Sequence, residues 1–203
     1  MAKIEIKNEK LFKNKIQMII YIVIFSILFY LFIYLGSKDY SINVKDNVRF
    51  AQEFNQVSTD NVFKYVNASD VYMITSGKDG IVLFGKNNND WVNYYAKIIN
   101  EVAKEVGIKE IFYYDFYDDR NQNNGTYETI VNQLNKYVKY NDLNRAEIYA
   151  PTLLIIKNKK VLYFDDETSF INGLNEPKTY WNEYKLGLKK NELKTVFEKY
   201  LEV

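Results

Sequence analysis

Residues 81–105 read IVLFGKNNNDWVNYYAKIINEVAKE, and two periodicities meet in them. Ile81 to Phe84 is an unbroken apolar run, the mark of a strand covered on both faces, and Gly85 closes it. Lys86 to Asp90 is polar. From Trp91 the apolar positions recur every three to four residues, at Tyr95, Ile98, Val102 and Val106, which predicts an amphipathic helix ended by Gly107. Asn89 or Asp90 is placed to cap that helix.

Outward from this unit the same criteria predict the rest. Thr59 or Asp60 can cap a short helix running through Val66, with Val62, Phe63 and Val66 on one side. Asp70 to Thr75 reads as a strand, and Gly77-Lys78-Asp79-Gly80 as the turn into Ile81. Ile111 to Phe116 is the next strand. Gly125-Thr126 opens a helix whose Ile130, Val131, Leu134, Tyr137 and Val138 form one apolar stripe. Ala150-Pro151-Thr152 leads into LLIIKNKKVLYF, a hairpin turned at Lys157 to Lys160. A connection from Asp165 to Leu188 precedes a last helix with Leu193, Val196, Phe197, Tyr200 and Leu201 on one face. This alternation predicts an α/β fold with a mixed central sheet flanked by helices.

The stretch from Thr59 to Val203 resembles bacterial thioredoxin-like proteins, notably the bacteriocin transport accessory group. In that family an apolar strand ending in Gly leads to C-x-x-C at the start of a long helix. Here Asn89 and Val92 stand at the two cysteine positions. The family's second hallmark is a cis-proline that opens the next core strand and faces the dithiol, and Ala150-Pro151-Thr152 looks like that element. The resemblance implies a thioredoxin-like fold. It also implies a groove between Asn89-Asp90-Trp91-Val92 and Ala150-Pro151 that takes an extended peptide by strand addition. A plainer reading of Pro151 is that it starts a strand where its missing N–H is tolerated.

The chain contains no cysteine. A thiolate is the nucleophile of disulfide exchange, and neither the Asn89 amide nor the Val92 alkyl group replaces it. Dithiol oxidoreductase, isomerase and peroxiredoxin chemistry is therefore excluded. Without histidine as well, the commonest zinc, copper and haem ligand sets and every His-dependent triad are missing. No cofactor is implied.

Residues 16–35, IQMIIYIVIFSILFYLFIYL, carry no charge. Such a run predicts a transmembrane helix, since about 20 residues at about 1.5 Å each cross a hydrocarbon core of about 30 Å. A cleaved signal peptide would have a shorter apolar region and a small-residue site, and Gly36-Ser37-Lys38 is a poor one. Lys3, Lys7, Lys10, Lys13 and Lys15 precede the span, against Lys38, Lys45 and Arg49 after it, which favours a cytoplasmic N-terminus. The expected organisation is a basic tail at 1–15, a single span at 16–35, a stalk at 36–58 and an extracytoplasmic domain at 59–203, with the lipid bilayer as one partner. Residues 1–35 hold 5 of the 27 basic and 2 of the 26 acidic residues, leaving 22 against 24 and a formal charge of −2 beyond them. Nucleic-acid binding, which wants a strongly basic patch, is not expected.

Other segments attract a functional reading. Asp115 to Gly125 (DFYDDRNQNNG) is rich in oxygen ligands, but setting Gly125 at position 6 of an EF-hand loop puts Arg120 at 1 and Val131 at 12, against the required pattern. Asp165-Asp166-Glu167 is an acidic run, expected to be a solvated face. Asp115 with Asp165 or Asp166 is the one acid/base pair to consider, and sequence supplies no distance. Asn67-Ala-Ser and Asn124-Gly-Thr matter only in a host that glycosylates. The expectation is a membrane-anchored, redox-inactive thioredoxin-like binding or scaffold protein, an accessory subunit of a cell-envelope or export complex, partnered by an unidentified envelope protein or peptide. The alternative is a carboxylate- or metal-dependent enzyme on the same scaffold.

Overall fold

A computed structural model describes residues 17–18, 21–30, 45–169 and 176–202. The chain divides into two compact units, Met1–Asn43 and Val44–Val203. In the first, residues 17–18 and 21–30 are helical, and exposed apolar side chains run from Tyr21 to Tyr30. Ser26 Oγ donates back to the Ile22 carbonyl at 2.8 Å. Among the described residues no helix is long and apolar enough to cross a membrane. The basic tail and the remainder of the 16–35 span lie outside the described residues.

The second unit is built on a five-stranded mixed sheet. Strands β1 (Phe63–Tyr65), β2 (Gly80–Gly85), β3 (Ile111–Asp115), β6 (Thr152–Lys157) and β7 (Lys160–Asp165) lie in the order β1-β3-β2-β6-β7. A separate two-stranded hairpin, β4 (Lys139–Tyr140) with β5 (Ala146–Glu147), stands apart from it. β3 is parallel to both β1 and β2, whereas β6 runs antiparallel to β2 and to β7. The strand at Ile81 is therefore central, between those at Ile111 and Leu153. All six of its residues are buried, as its unbroken apolar run demands.

Alternation along the strands sorts the core into two layers. The register Tyr65↔Tyr113↔Leu83↔Leu153↔Asp165 crosses the whole sheet, and its apolar members face α1 (Asp46–Glu53), α3 (Asp90–Val106) and α7 (Glu183–Leu201). Val82, Phe84, Tyr114 and Leu154 face the other way, toward α2 (Ala68–Thr75) and α5 (Gly125–Gln133). Gly107, in the left-handed region at φ 96°, ends α3 as expected, its N–H donating to the Ala103 carbonyl at 2.9 Å.

Four expectations are corrected. The helix over residues 60–66 is instead strand β1, because Phe63 to Tyr65 pair with Ile111 to Tyr113 and Asp60 meets Lys104 rather than a helix N-terminus. The strand over 70–75 is instead helix α2. Asn67 Oδ1 accepts from the Ser69 and Asp70 N–H groups while the Asp70 carboxylate accepts from Asn67 N at 3.1 Å, and this reciprocal cap outweighs the β-leaning VYMIT run. Residues 46–57, assigned to the stalk, belong to the compact unit: Phe50 and Phe54 are fully buried, and Phe50 stacks on Phe63 at 4.0 Å. Finally, α5 stops at Gln133, leaving Tyr137 exposed while Leu134 and Val138 stay buried, and α7 starts at Glu183, earlier than Leu188, after a short α6 (Pro177–Tyr180). The remaining helix, α4 (Tyr117–Asn121), follows β3.

Gly85 ends β2 because nothing larger fits. A Cβ there would sit in the ring of Tyr113, whose hydroxyl is itself buried without a hydrogen-bond partner. Gly85→Ala is expected to destabilise residues 44–203 by about 1–3 kcal/mol through overpacking. Tyr113→Phe, which removes only an unpartnered hydroxyl, should stay within about 1 kcal/mol of the parent or exceed it. Urea denaturation checks both, and equal losses from the two changes would refute this account of the contact.

Candidate functional site

The registers Gly85↔Asp115, Phe84↔Thr152 and Leu153↔Asp165 bring the C-terminal ends of β2, β3 and β7 and the entry to β6 to one end of the sheet. All six residues singled out from sequence lie there. Asn89 is the N-cap of α3, its Oδ1 accepting from Val92 N at 3.1 Å. Asp90 is exposed in the first turn, where its charge favours the helix dipole. Trp91 is half-buried and meets Tyr180 edge-on at 5.6 Å, and Val92 is fully buried in the core. Position 89 is thus partly accessible and position 92 is inside. Across the sheet end the Ala150–Pro151 peptide bond is cis; Pro151 is buried and Ala150 half-buried. The loop between β2 and α3 is held by Asn87 N donating to Asp115 Oδ2 at 3.2 Å and by Lys86 over the Tyr117 ring at 3.7 Å.

Beside these residues lies a charged cluster that sequence reasoning missed. Lys189 on α7 is buried, and its Nζ lies 2.9 Å from Asp165 Oδ2, 2.9 Å from Glu167 Oε2 and 2.8 Å from Glu192 Oε2. The Tyr95 hydroxyl on α3 donates to the same Asp165 oxygen, as does Tyr163 OH at 3.3 Å, and Tyr180 OH donates to Glu167. Asp165 is buried, not the solvated acidic residue expected. Burial by itself would raise its pKa, but Lys189, Tyr95 and the Glu167 N–H hold it below the usual carboxylate range. Glu167 is also lowered, against the burial that would raise it, by Tyr180 and Lys189. Burial would lower Lys189, yet Asp165 and Glu192 hold it above an ordinary lysine, and burial together with Asp165 pushes Tyr95 well up. The signal was legible: Lys189 stands four and eight residues before Leu193 and Phe197, on the apolar stripe of α7.

Other groupings weighed from the sequence do not form. Asp115 and Asp165 end strands three positions apart in the sheet, about 14 Å at about 4.8 Å per strand. Asp165 is committed to Lys189 and Asp166 pairs with Lys139 at 3.1 Å, so neither carboxylate pairs with Asp115. In the 115–125 segment Asp119 accepts from Tyr114 OH at 2.6 Å and from Asn124 Nδ2 at 2.8 Å, while Asp115 accepts from Asn87 N and Tyr117 N. Asn67 and Asn124, the two sequon asparagines, are helix caps. Among the described residues no group of three or more acidic side chains is arranged to hold a metal ion. No protein-family model matches this chain, and no curated protein does.

The cluster ties β7, α3 and α7 together, and removing its cation leaves Asp165 buried and unpaired. Lys189→Ala is expected to cost about 3–5 kcal/mol, with part of that recovered in Asp165→Asn/Lys189→Met. The folded pKa values of Asp165 and Glu167 are lowered, so stability should hold above about pH 5 and fall as pH drops through those values. Lys189 is raised, so its share holds up to about pH 10 and is lost above that. Chemical denaturation across pH checks this; an Asp165→Asn variant with an unchanged acid limb would contradict it.

Proposed function

We propose that this chain is a membrane-anchored, extracytoplasmic thioredoxin-like protein without thiol chemistry, which binds an envelope peptide or protein as an accessory subunit of an export or cell-envelope complex. The observation carrying this reading is the strand–loop–helix unit in its sheet context. A fully buried central strand, parallel to one neighbour and antiparallel to the other, feeds a helix whose N-cap and third residue are Asn89 and Val92. The hairpin β6–β7 and the final helix α7 complete the order that the resemblance requires.

Binding is supported by what surrounds Trp91. The segment Ile148 to Pro151 lies outside both sheets, at the end of the sheet where α3 begins; its Ile148 and Tyr149 carbonyls accept from Arg120 Nη1 and Thr152 Oγ1, and it takes part in no ladder. Trp91 and Tyr180 stand there as partly exposed aromatics of the kind that anchor interfaces. Anchoring is supported by the uncharged run 16–35 and by the exposed apolar side chains of its described helical part.

Asn89→Cys/Val92→Cys should produce two thiols that oxidise readily to an intramolecular disulfide, with the thiol at 89 acidified by the helix N-terminus. Thiol titration against pH and mass after mild oxidation read this out. Cysteines that stay reduced with ordinary thiol pKa values in a folded variant would end the thioredoxin-like reading.

Orientation and contact are tested in intact cells. A cysteine replacing Ser169 should react with an impermeant maleimide and one replacing Asn8 should not; the opposite pattern reverses the topology. A photo-crosslinking side chain at position 91 should capture a specific envelope protein, whereas one at Lys109, at the opposite end of the sheet, should not. Equal capture from both positions would remove the groove from the proposal.

A further inference from the structure

The chain holds three arginines among its 27 basic residues. Arg49 is paired with Glu53 at 2.9 Å. The other two, Arg120 and Arg145, line one cleft of about 320 Å³ between α4, α5 and the β4–β5 hairpin. Neither makes an ion pair among the described residues, in a chain where ten lysine and arginine contacts of that kind are formed elsewhere.

Arg120 is held in place by other means. Its guanidinium lies 5.3 Å from the Phe116 ring, 5.2 Å from Tyr117 and 5.8 Å from Tyr149, and Nη1 donates to the Ile148 carbonyl at 3.4 Å. A guanidinium fixed among three rings by one weak hydrogen bond keeps most of its donors for a ligand. Arg145 is anchored through its backbone, its N–H donating to Asn141 Oδ1 at 3.0 Å, and its side chain is exposed. The cleft's apolar wall is Tyr127 and Val131, both buried, and the Asn132 amide lies at its side.

The remaining lining decides which anion fits. Glu128 and Glu147 also face the cleft, so two cations and two carboxylates balance. Glu147 is engaged by Asn141 Nδ2 at 2.6 Å. A dianionic phosphate would meet these carboxylates, whereas a single carboxylate can take the planar fork of Arg120 and leave an apolar substituent against Tyr127 and Val131. The volume suits a ligand of one or two amino-acid residues. The geometry points to a carboxylate-binding cleft, one that takes an α-carboxylate carried on an apolar residue, either a free amino acid or the C-terminal end of a peptide. Arg120 joins this cleft to the Ile148–Pro151 segment of the proposed groove, but the carboxylate reading rests on the cleft's own lining and does not depend on the proposed function.

Isothermal titration of the full-length protein in lipid nanodiscs tests it with four probes: leucine, a hexapeptide ending in leucine with a free carboxylate, the same hexapeptide as its C-terminal amide, and inorganic phosphate. The free acid of one or both sources should saturate, and whichever binds tighter identifies the source. The amide should bind at least about tenfold more weakly, as should the free acid to Arg120→Lys, which keeps the charge and loses the fork, and to Arg145→Gln. Arg49→Gln should bind as the parent does. Since Arg145 is exposed, its variant should unfold at the parental midpoint, which separates lost binding from lost folding. Absence of saturable binding by both acids, equal binding of acid and amide, phosphate binding as tight as the carboxylate, or parental affinity in Arg145→Gln would each overturn the proposal.

Discussion

Everything in this domain depends on β2 being buried on both faces. A strand with no polar side chain between Ile81 and Phe84 can only sit in the middle of a sheet covered above and below by helices. That constraint places β3 and β6 on its flanks, sends alternate side chains into two separate cores, and fixes the direction in which the chain leaves at Gly85. It also explains why α3 is long and strongly two-sided, for it must cover β2 along its full length while its other side meets solvent. The close approach of Gly85 to the Tyr113 ring is the local expression of the same demand.

The second constraint is electrostatic. β7 is an edge strand, and its last residue is a buried carboxylate. An isolated charge there would be costly, so the stability of the α3–β7–α7 layer rests on Lys189 supplying the counter-charge and on Tyr95 and Tyr163 supplying hydrogen bonds. Three carboxylates around one ammonium leave a net negative cluster, relieved by the partial exposure of Glu167 and Glu192. Because Tyr180 donates to Glu167 and also contacts Trp91, the cluster helps set the position of the aromatic side chains at the start of α3.

Most of the sheet was legible from runs of apolar residues: β2, β3, β6 and β7 all stand where unbroken or turn-bounded apolar segments predicted. The two misreadings between residues 60 and 75 share one cause. In residues 60–75 short segments carry too few residues for periodicity to distinguish three-residue strand from helix, and the outcome is set by tertiary pairing with β3 in one case and by the Asn67/Asp70 cap in the other. Phe50 and Phe54 were hidden by the polar residues around them in a segment that looked like a stalk. The six residues near the end of the sheet were singled out from the resemblance, while Lys189 was missed because a lysine in a helix is by default solvated. Its place on the apolar stripe with Leu193 and Phe197 is the feature that marks it as buried.

What Asn89 and Val92 do follows from their surroundings. Asparagine is among the best N-cap residues, and Asn89 satisfies the Val92 N–H in a role worth about 0.5–2 kcal/mol. Val92 fills the core position with an apolar side chain and leaves no polar atom to satisfy. Both positions therefore serve the helix and the core. On the proposed reading, recognition at this end of the sheet has to come from the groups that remain accessible, the Trp91 and Tyr180 rings and the half-buried residues Tyr149 and Ala150. A groove of that composition, aromatic rings beside backbone that lies outside the sheet ladders, suits an extended chain better than a small polar substrate, because backbone pairing rewards length and the rings reward alternate apolar side chains.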